Sequence, residues 1–220
     1  MRFSWLRLLF LVVMLAFFIA LVQFNIVAIA FEKLNLSRES AYLLFMSALI
    51  GSVINVPLFS MTRREQEHPG PGEEIGALFG MRQAPPARTV TVAVNVGGCV
   101  IPVAFSFYLL AHGAMRPSDA LITVASVAVV AYWSSRPMRG VGVVMPFLIA
   151  PVAAVLVATT LNYDQRAPLA YIGGTMGVLL GADLFRLRDI RNLGAPIASI
   201  GGAGTFDGVF ISGLLAVLLA

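Results

Sequence analysis

Apolar stretches of about twenty residues recur along this chain, separated by short polar loops. That recurrence constrains the fold more than any other feature. A hydrocarbon core about 30 Å thick needs about 20 apolar residues in a helix. About seven candidates meet that length or come close to it, near 6–31, 40–61, 89–112, 118–135, 142–161, 167–185 and 195–220. Composition excludes the ordinary alternative. Hydrophobic residues make up 59% and charged residues 12% of the chain, and mean hydropathy is +0.88. Soluble domains run near 25% charged, so lipid is the expected solvent. The expected fold class is all-α, a polytopic helical membrane protein with about seven transmembrane helices and glycine- or proline-broken segments. Residues 1–220 then form a single integral membrane domain.

The first apolar run begins after Arg2 and Arg7 and ends in Ala28-Ile29-Ala30, which resembles a signal cleavage site. It exceeds the roughly 7–15 residues of a signal h-region, so a retained anchor is expected. Either element delivers the next segment of the chain to the outside. The polar stretch 62–88 carries proline, glycine and both charge signs, and reads as a solvated loop. Its "EEIGALFGM" core is a candidate for one amphipathic turn at the lipid surface.

Orientation is set by the basic residues. With the N-terminus inside, Arg2, Arg7, Arg63, Arg64, Arg82, Arg88, Arg136, Arg139, Arg186, Arg188 and Arg191 lie inside. Lys33, Arg38, Arg116 and Arg166 lie outside. The expected topology is therefore cytoplasmic N-terminus, external C-terminus and cytoplasmic 62–88 loop, in the cell (inner) membrane. The net charge of +4 is no nucleic-acid signature. Cys99 is the single cysteine, so no internal disulfide forms. The chain has no P-loop, no Rossmann glycine pattern, no HExxH and no metal-spaced Cys/His set. His68 and His112 sit in loop or interface positions. No cofactor and no metal are expected.

Against this background the informative residues are polar groups and helix breakers inside apolar runs. Asn55 lies two residues before Pro57, and Asn95 two residues before Gly97-Gly98. A proline removes a helix hydrogen bond. The amides serve either to satisfy the freed backbone or to line a site between broken helices, as in many transporters. Gly173, Gly177 and Gly181 recur every four residues, a stripe on which another helix packs closely. Asp183 points roughly 200° from Gly181 at about 100° per residue. Arg186 at i+3 is an ion-pair candidate for it; a shared polar site is the other reading.

Asp207 comes after Gly201, Gly202 and Gly204 and precedes Gly208. If the last helix begins near Pro196, Asp207 lies roughly 16 Å into it, near the bilayer midplane. If the glycines are unwound, Asp207 opens a half-helix from 205 to 220. The carboxylate then either caps that turn, binds a proton or cation, or takes part in catalysis.

At these residues the chain resembles a known family. "VAVNVGGCVIPVAFSFYLL", "AYIGGTMGVLLGADL" and "GAPIASIGGAGTFDGVFISGLLAVLLA" are similar to the bacterial and archaeal membrane proteins of the DUF1614 family, of unknown function. The resemblance spans about 55–220 and implies a multi-pass membrane protein. It matches at Asn95, Gly97, Gly98, Pro102, Gly181, Asp183, Gly201, Gly202, Gly204, Asp207 and Gly208.

Three functions compete for these residues. In a small ion- or proton-coupled transporter, Asp207 and Asp183 bind the cation, and Asn95, Asn55 and the glycine-broken backbone line the path. At this size such a carrier calls for a homodimer. An accessory or assembly subunit of a larger membrane complex needs no polar site. An intramembrane aspartyl protease would use Asp183 and Asp207 as acid and base. "LLGADL" resembles the Gly-x-Gly-Asp motif of presenilin-like and prepilin peptidases, with Ala182 in place of the second glycine. Activity as an enzyme is the weaker expectation.

Overall fold

The computed structural model describes residues 14, 26–62, 89–138, 142–190, 197–202 and 208–220. Most of the first apolar run, most of the 62–88 loop, Gly204 and Asp207 lie outside the described residues. The described helices are α1 (Ile26–Glu32), α2 (Arg38–Gly51), α3 (Val96–His112), α4 (Pro117–Ser134), α5 (Ile149–Leu161), α6 (Arg166–Asp189) and α7 (Gly208–Leu219). The strands are β1 (Asn55–Thr62), β2 (Thr89–Asn95), β3 (Arg136–Met138), β4 (Gly142–Val144) and β5 (Ile197–Ile200). Of the helices, α4 and α6 are long and apolar enough to cross a membrane.

The all-α expectation is corrected by these strands. β1 pairs antiparallel with β2, β2 pairs parallel with β5, and β3 and β4 form a separate hairpin. The second apolar run is helix only to Gly51 and strand from Asn55. Val53, Ile54 and Val56 are β-branched and favour extended backbone. Pro57 biases Val56 the same way. As an edge-strand residue, Pro57 sits where a missing N–H is tolerated, and the register shifts between it and Phe59. Pro57 therefore breaks no helix. The third run opens as strand because "TVTVAVN" is rich in β-branched residues and alternates Thr with Val, and it turns helical only at Val96. The last run is strand at 197–200, so the long-helix alternative starting near Pro196 is overturned. The fifth begins with the short strand β4 before α5.

Successive helices alternate in direction. Gly51 closes α2 against Gly97 at the start of α3. Lys33 Nζ donates to Val217 O at 3.3 Å and Leu218 O at 3.2 Å, and Arg166 Nε donates to Ala220 O. The end of α1, the start of α6 and the end of α7 thus meet at one end of the bundle. The three-stranded sheet lies at the opposite end, because β2 leads directly into α3 and Gly201 reaches the far part of α6. Both cations sit on the last turn of α7, where free carbonyls and the helix dipole favour positive charge.

α6 is the central helix. The expected glycine stripe is its packing face. A Cβ at Gly173 would lie 2.5 Å from Thr123 Cγ2, and one at Gly177 would lie 2.6 Å from Val127 Cβ. One at Gly181 would run into Ala128 O. The partners advance in step with the glycines, so α4 and α6 run parallel in close contact. A second small-residue stripe has no counterpart in the sequence expectations. Ala150, Ala154 and Ala158 are fully buried on α5 at intervals of four. Large apolar side chains also line the outward faces: Leu43, Leu121, Trp133 and Leu156 are 63–79% exposed. Small residues at these helix contacts allow the close backbone approach seen there.

Candidate functional site

The sheet end of the bundle gathers the polar residues singled out in the sequence. Strand register places Asn55 opposite Asn95. Asn95, 1% exposed, uses both ends of its amide. Its Nδ2 donates to Ser52 O at 2.7 Å and to Asn55 Oδ1 at 3.2 Å. Its Oδ1 accepts from Gly98 N–H at 2.8 Å, so Asn95 is the N-cap of α3. Asn55 Oδ1 also accepts from Ser199 Oγ at 2.7 Å. One asparagine pair therefore ties together β1, β2, β5, the turn after α2 and the first turn of α3.

Glycines bring those backbones into contact. A Cβ on Gly97 would collide with Ala48 O and Ser52 N. Gly201 adopts φ +80° and Gly202 φ +94°, left-handed backbone that glycine alone takes without strain. A Cβ on Gly201 would also come within 2.6 Å of Cys99 Cβ and 2.7 Å of Cys99 N. The turn after β5 is thus pressed against the first turn of α3. Gly208 differs: it opens α7, and a Cβ there would meet nothing within 4 Å.

Asp183 joins this cluster. Its Oδ2 accepts from Gly201 N–H at 2.8 Å. It faces away from α4, as the angular offset from Gly181 requires, and toward the glycine turn. The Asp183–Arg186 ion pair suggested by their spacing does not form. Arg186 instead caps α4: its Nη2 donates to Tyr132 O at 2.7 Å and Ser135 O at 2.9 Å. Its Nη1 pairs with Asp189 at 3.1 Å, and its guanidinium lies 4.2 Å over the Tyr132 ring. The carbonyls at the end of α4 and the ring together outcompete one carboxylate.

The cluster thus unites Asp183, Asn95, Asn55, Gly97, Gly98, Gly201 and Gly202. Ser199 and Gly51 also belong to it, although the sequence alone did not point to them. Ser199 lies on a strand that hydropathy reads as helix, on the face opposite buried Ala198 and Ile200. Chemically, the arrangement is a carboxylate beside unwound backbone, with carbonyls, amides and one hydroxyl within a few residues of it. Oxygen ligands of this kind suit hard cations or protons. Among the described residues no group of three or more His, Cys, Asp or Glu could hold a metal.

A family model described as Protein of unknown function (DUF1614) matches residues 49–219. No curated protein matches the chain, and no solved structure matches it.

Proposed function

The chain belongs to the DUF1614 family of proteins of unknown function, and we propose that it is a small multi-pass membrane carrier that binds a cation or a proton at its glycine-broken polar end. The observation that carries this reading is the Asp183 carboxylate on the Gly201 amide, at the turn where β5 leaves the sheet and beside the broken start of α3. Ionisable groups on membrane helices are costly and mark ion or proton paths. Unwound backbone within a membrane is tolerated where protein or water surrounds it.

Seven passes fit the alternation of helix direction. Arg136, Arg186 and Arg188 belong to the sheet end, and Lys33 and Arg166 to the other. With the positive-inside rule, this supports a cytoplasmic sheet end, a cytoplasmic 62–88 loop, a cytoplasmic N-terminus and an external C-terminus in the inner membrane. The carrier works as a homodimer or within a larger complex. Asp207 acts with Asp183 as a second acidic group.

A second reading, an assembly subunit, draws on β1. This edge strand exposes Val56, Leu58 and Phe59 by 46–56%, and exposed apolar strand edges recruit partners.

Thermal stability in detergent separates the two. Sodium, potassium or a pH step is expected to shift the melting temperature of the wild type and leave Asp183→Asn unmoved, with choline as the inert control. Asparagine keeps an acceptor for Gly201 N–H and removes the ionisable group. Equal shifts in both proteins would count against cation binding at Asp183.

A further inference from the structure

The two helices long and apolar enough to cross a membrane, α4 and α6, run parallel and end together at one corner of the sheet end. Rings and cations crowd that corner. Trp133, the penultimate residue of α4, is 79% exposed. Tyr132 and Phe185 are exposed as well, and their rings meet edge to face at 6.4 Å between centroids. Just past the rings come Arg136, the first residue of β3, and Arg188, the penultimate residue of α6. Both are exposed. The ion pairs among the described residues are Arg38–Glu32 and Arg186–Asp189, so neither of these two arginines is paired there.

Arg186 prepares the corner for an anion. The carbonyl end of a helix repels negative charge, and Arg186 covers that end of α4 by donating to Tyr132 O and Ser135 O. Ser135 is the residue before Arg136, and Arg188 lies two residues after Arg186. The three guanidiniums therefore come from neighbouring stretches of backbone. Asp189 is already held by Arg186. Arg136 and Arg188 keep their donors free, and the guanidinium fork matches a phosphate bidentately.

We propose that this corner binds the headgroup of an anionic phospholipid, with Arg136 and Arg188 on its phosphate and Trp133 and Phe185 against the start of its acyl chains. Basic pockets between membrane helices on the cytoplasmic side take such headgroups. Exposed Trp and Tyr rings lie at headgroup depth, which is where two spans that end together would put them. A lipid is favoured over free phosphate because the rings beside the cations are apolar surface that a free anion leaves uncovered. The proposal rests on the membrane reading and not on carriage; an assembly subunit would hold the same lipid.

Native mass spectrometry of the full chain in detergent tests this, with phosphatidylglycerol or phosphatidylcholine titrated in. The wild type is expected to retain phosphatidylglycerol about tenfold or more over phosphatidylcholine. The double variant Arg136→Gln, Arg188→Gln is expected to lose that preference. Arg116→Gln, at the opposite end of α4, is expected to keep it. Thermal melting separates lipid from free anion: phosphatidylglycerol is expected to raise the melting temperature of the wild type, and inorganic phosphate to leave it unmoved. Equal retention of the two lipids by the wild type would overturn the proposal. So would a preference undiminished in the double variant, or a shift with inorganic phosphate equal to that with the lipid. None of these outcomes touches the cation response of Asp183. Extraction of the chain from membranes by alkaline carbonate would overturn the membrane reading and this proposal together.

Discussion

Gly97→Ala is expected to cost about 4 kcal/mol or more, in the range reserved for strong steric or buried-polar defects. The added methyl would meet Ala48 O, Ser52 N and, at 2.8 Å, Gly51 C. All three are main-chain atoms, so no side-chain rotation relieves the overlap. Overpacking in cores ordinarily costs about 1–3 kcal/mol because side chains yield; here α2 and α3 must separate. Separation would also strain the Asn95 bond to Ser52 O, which spans the same junction. Gly208→Ala supplies the contrast within the same set of glycines. Its Cβ meets nothing within 4 Å, and the change is expected to stay within about 0.5 kcal/mol. Thermal or chemical denaturation of the two variants in one detergent checks the pair. Equal losses at the two positions would sink the backbone-contact account of Gly97.

Asn95→Ala is expected to be nearly as damaging, by about 2–5 kcal/mol, because removing one partner strands buried groups at about 1–3 kcal/mol each. The Gly98 N–H loses its acceptor, Ser52 O loses its donor, and Asn55 Oδ1 keeps only Ser199. Asn95→Asp should recover part of the loss. Its carboxylate still accepts from Gly98 N–H, but it donates nothing to Ser52 O and repels Asn55 Oδ1. The order wild type, Asp, Ala in unfolding free energy is the expected result. An aspartate variant less stable than the alanine one would mean that charge burial, rather than hydrogen bonding, governs the position.

Legibility in the sequence depended on which physical signal was unique. The glycine period of Gly173, Gly177 and Gly181 has one geometric meaning on a helix, and the structure places α4 against it. The half-helix after the glycine turn was one of two alternatives the sequence left open, and strand β5 with positive φ at Gly201 and Gly202 decides for it. Hydropathy, by contrast, does not distinguish a strand from a buried helix. "SVINVPLF" and "TVTVAVN" are apolar enough to pass as parts of spans, although their β-branched alternation is the competing signal. The partner of Asp183 was not legible at all. Gly201 is 18 residues away along the chain, while Arg186 stands close in sequence and is drawn off by the end of α4. Asn95 reads from the sequence as an amide beside a helix break, whereas in the structure it ends β2 and caps the start of α3. Its link through Asn55 to Ser199 depends on a strand pairing that hydropathy does not reveal.

Ion flux across a membrane is the most direct test of the carrier reading. Purified protein would be sealed into liposomes with a pH-sensitive dye inside, and a potassium diffusion potential or a sodium gradient imposed. The account predicts dye or tracer movement above that of empty liposomes for the wild type. It predicts loss of that movement in Asp183→Asn at unchanged folding and insertion. Flux that matches empty liposomes in every gradient, or flux that persists undiminished in Asp183→Asn, would contradict it.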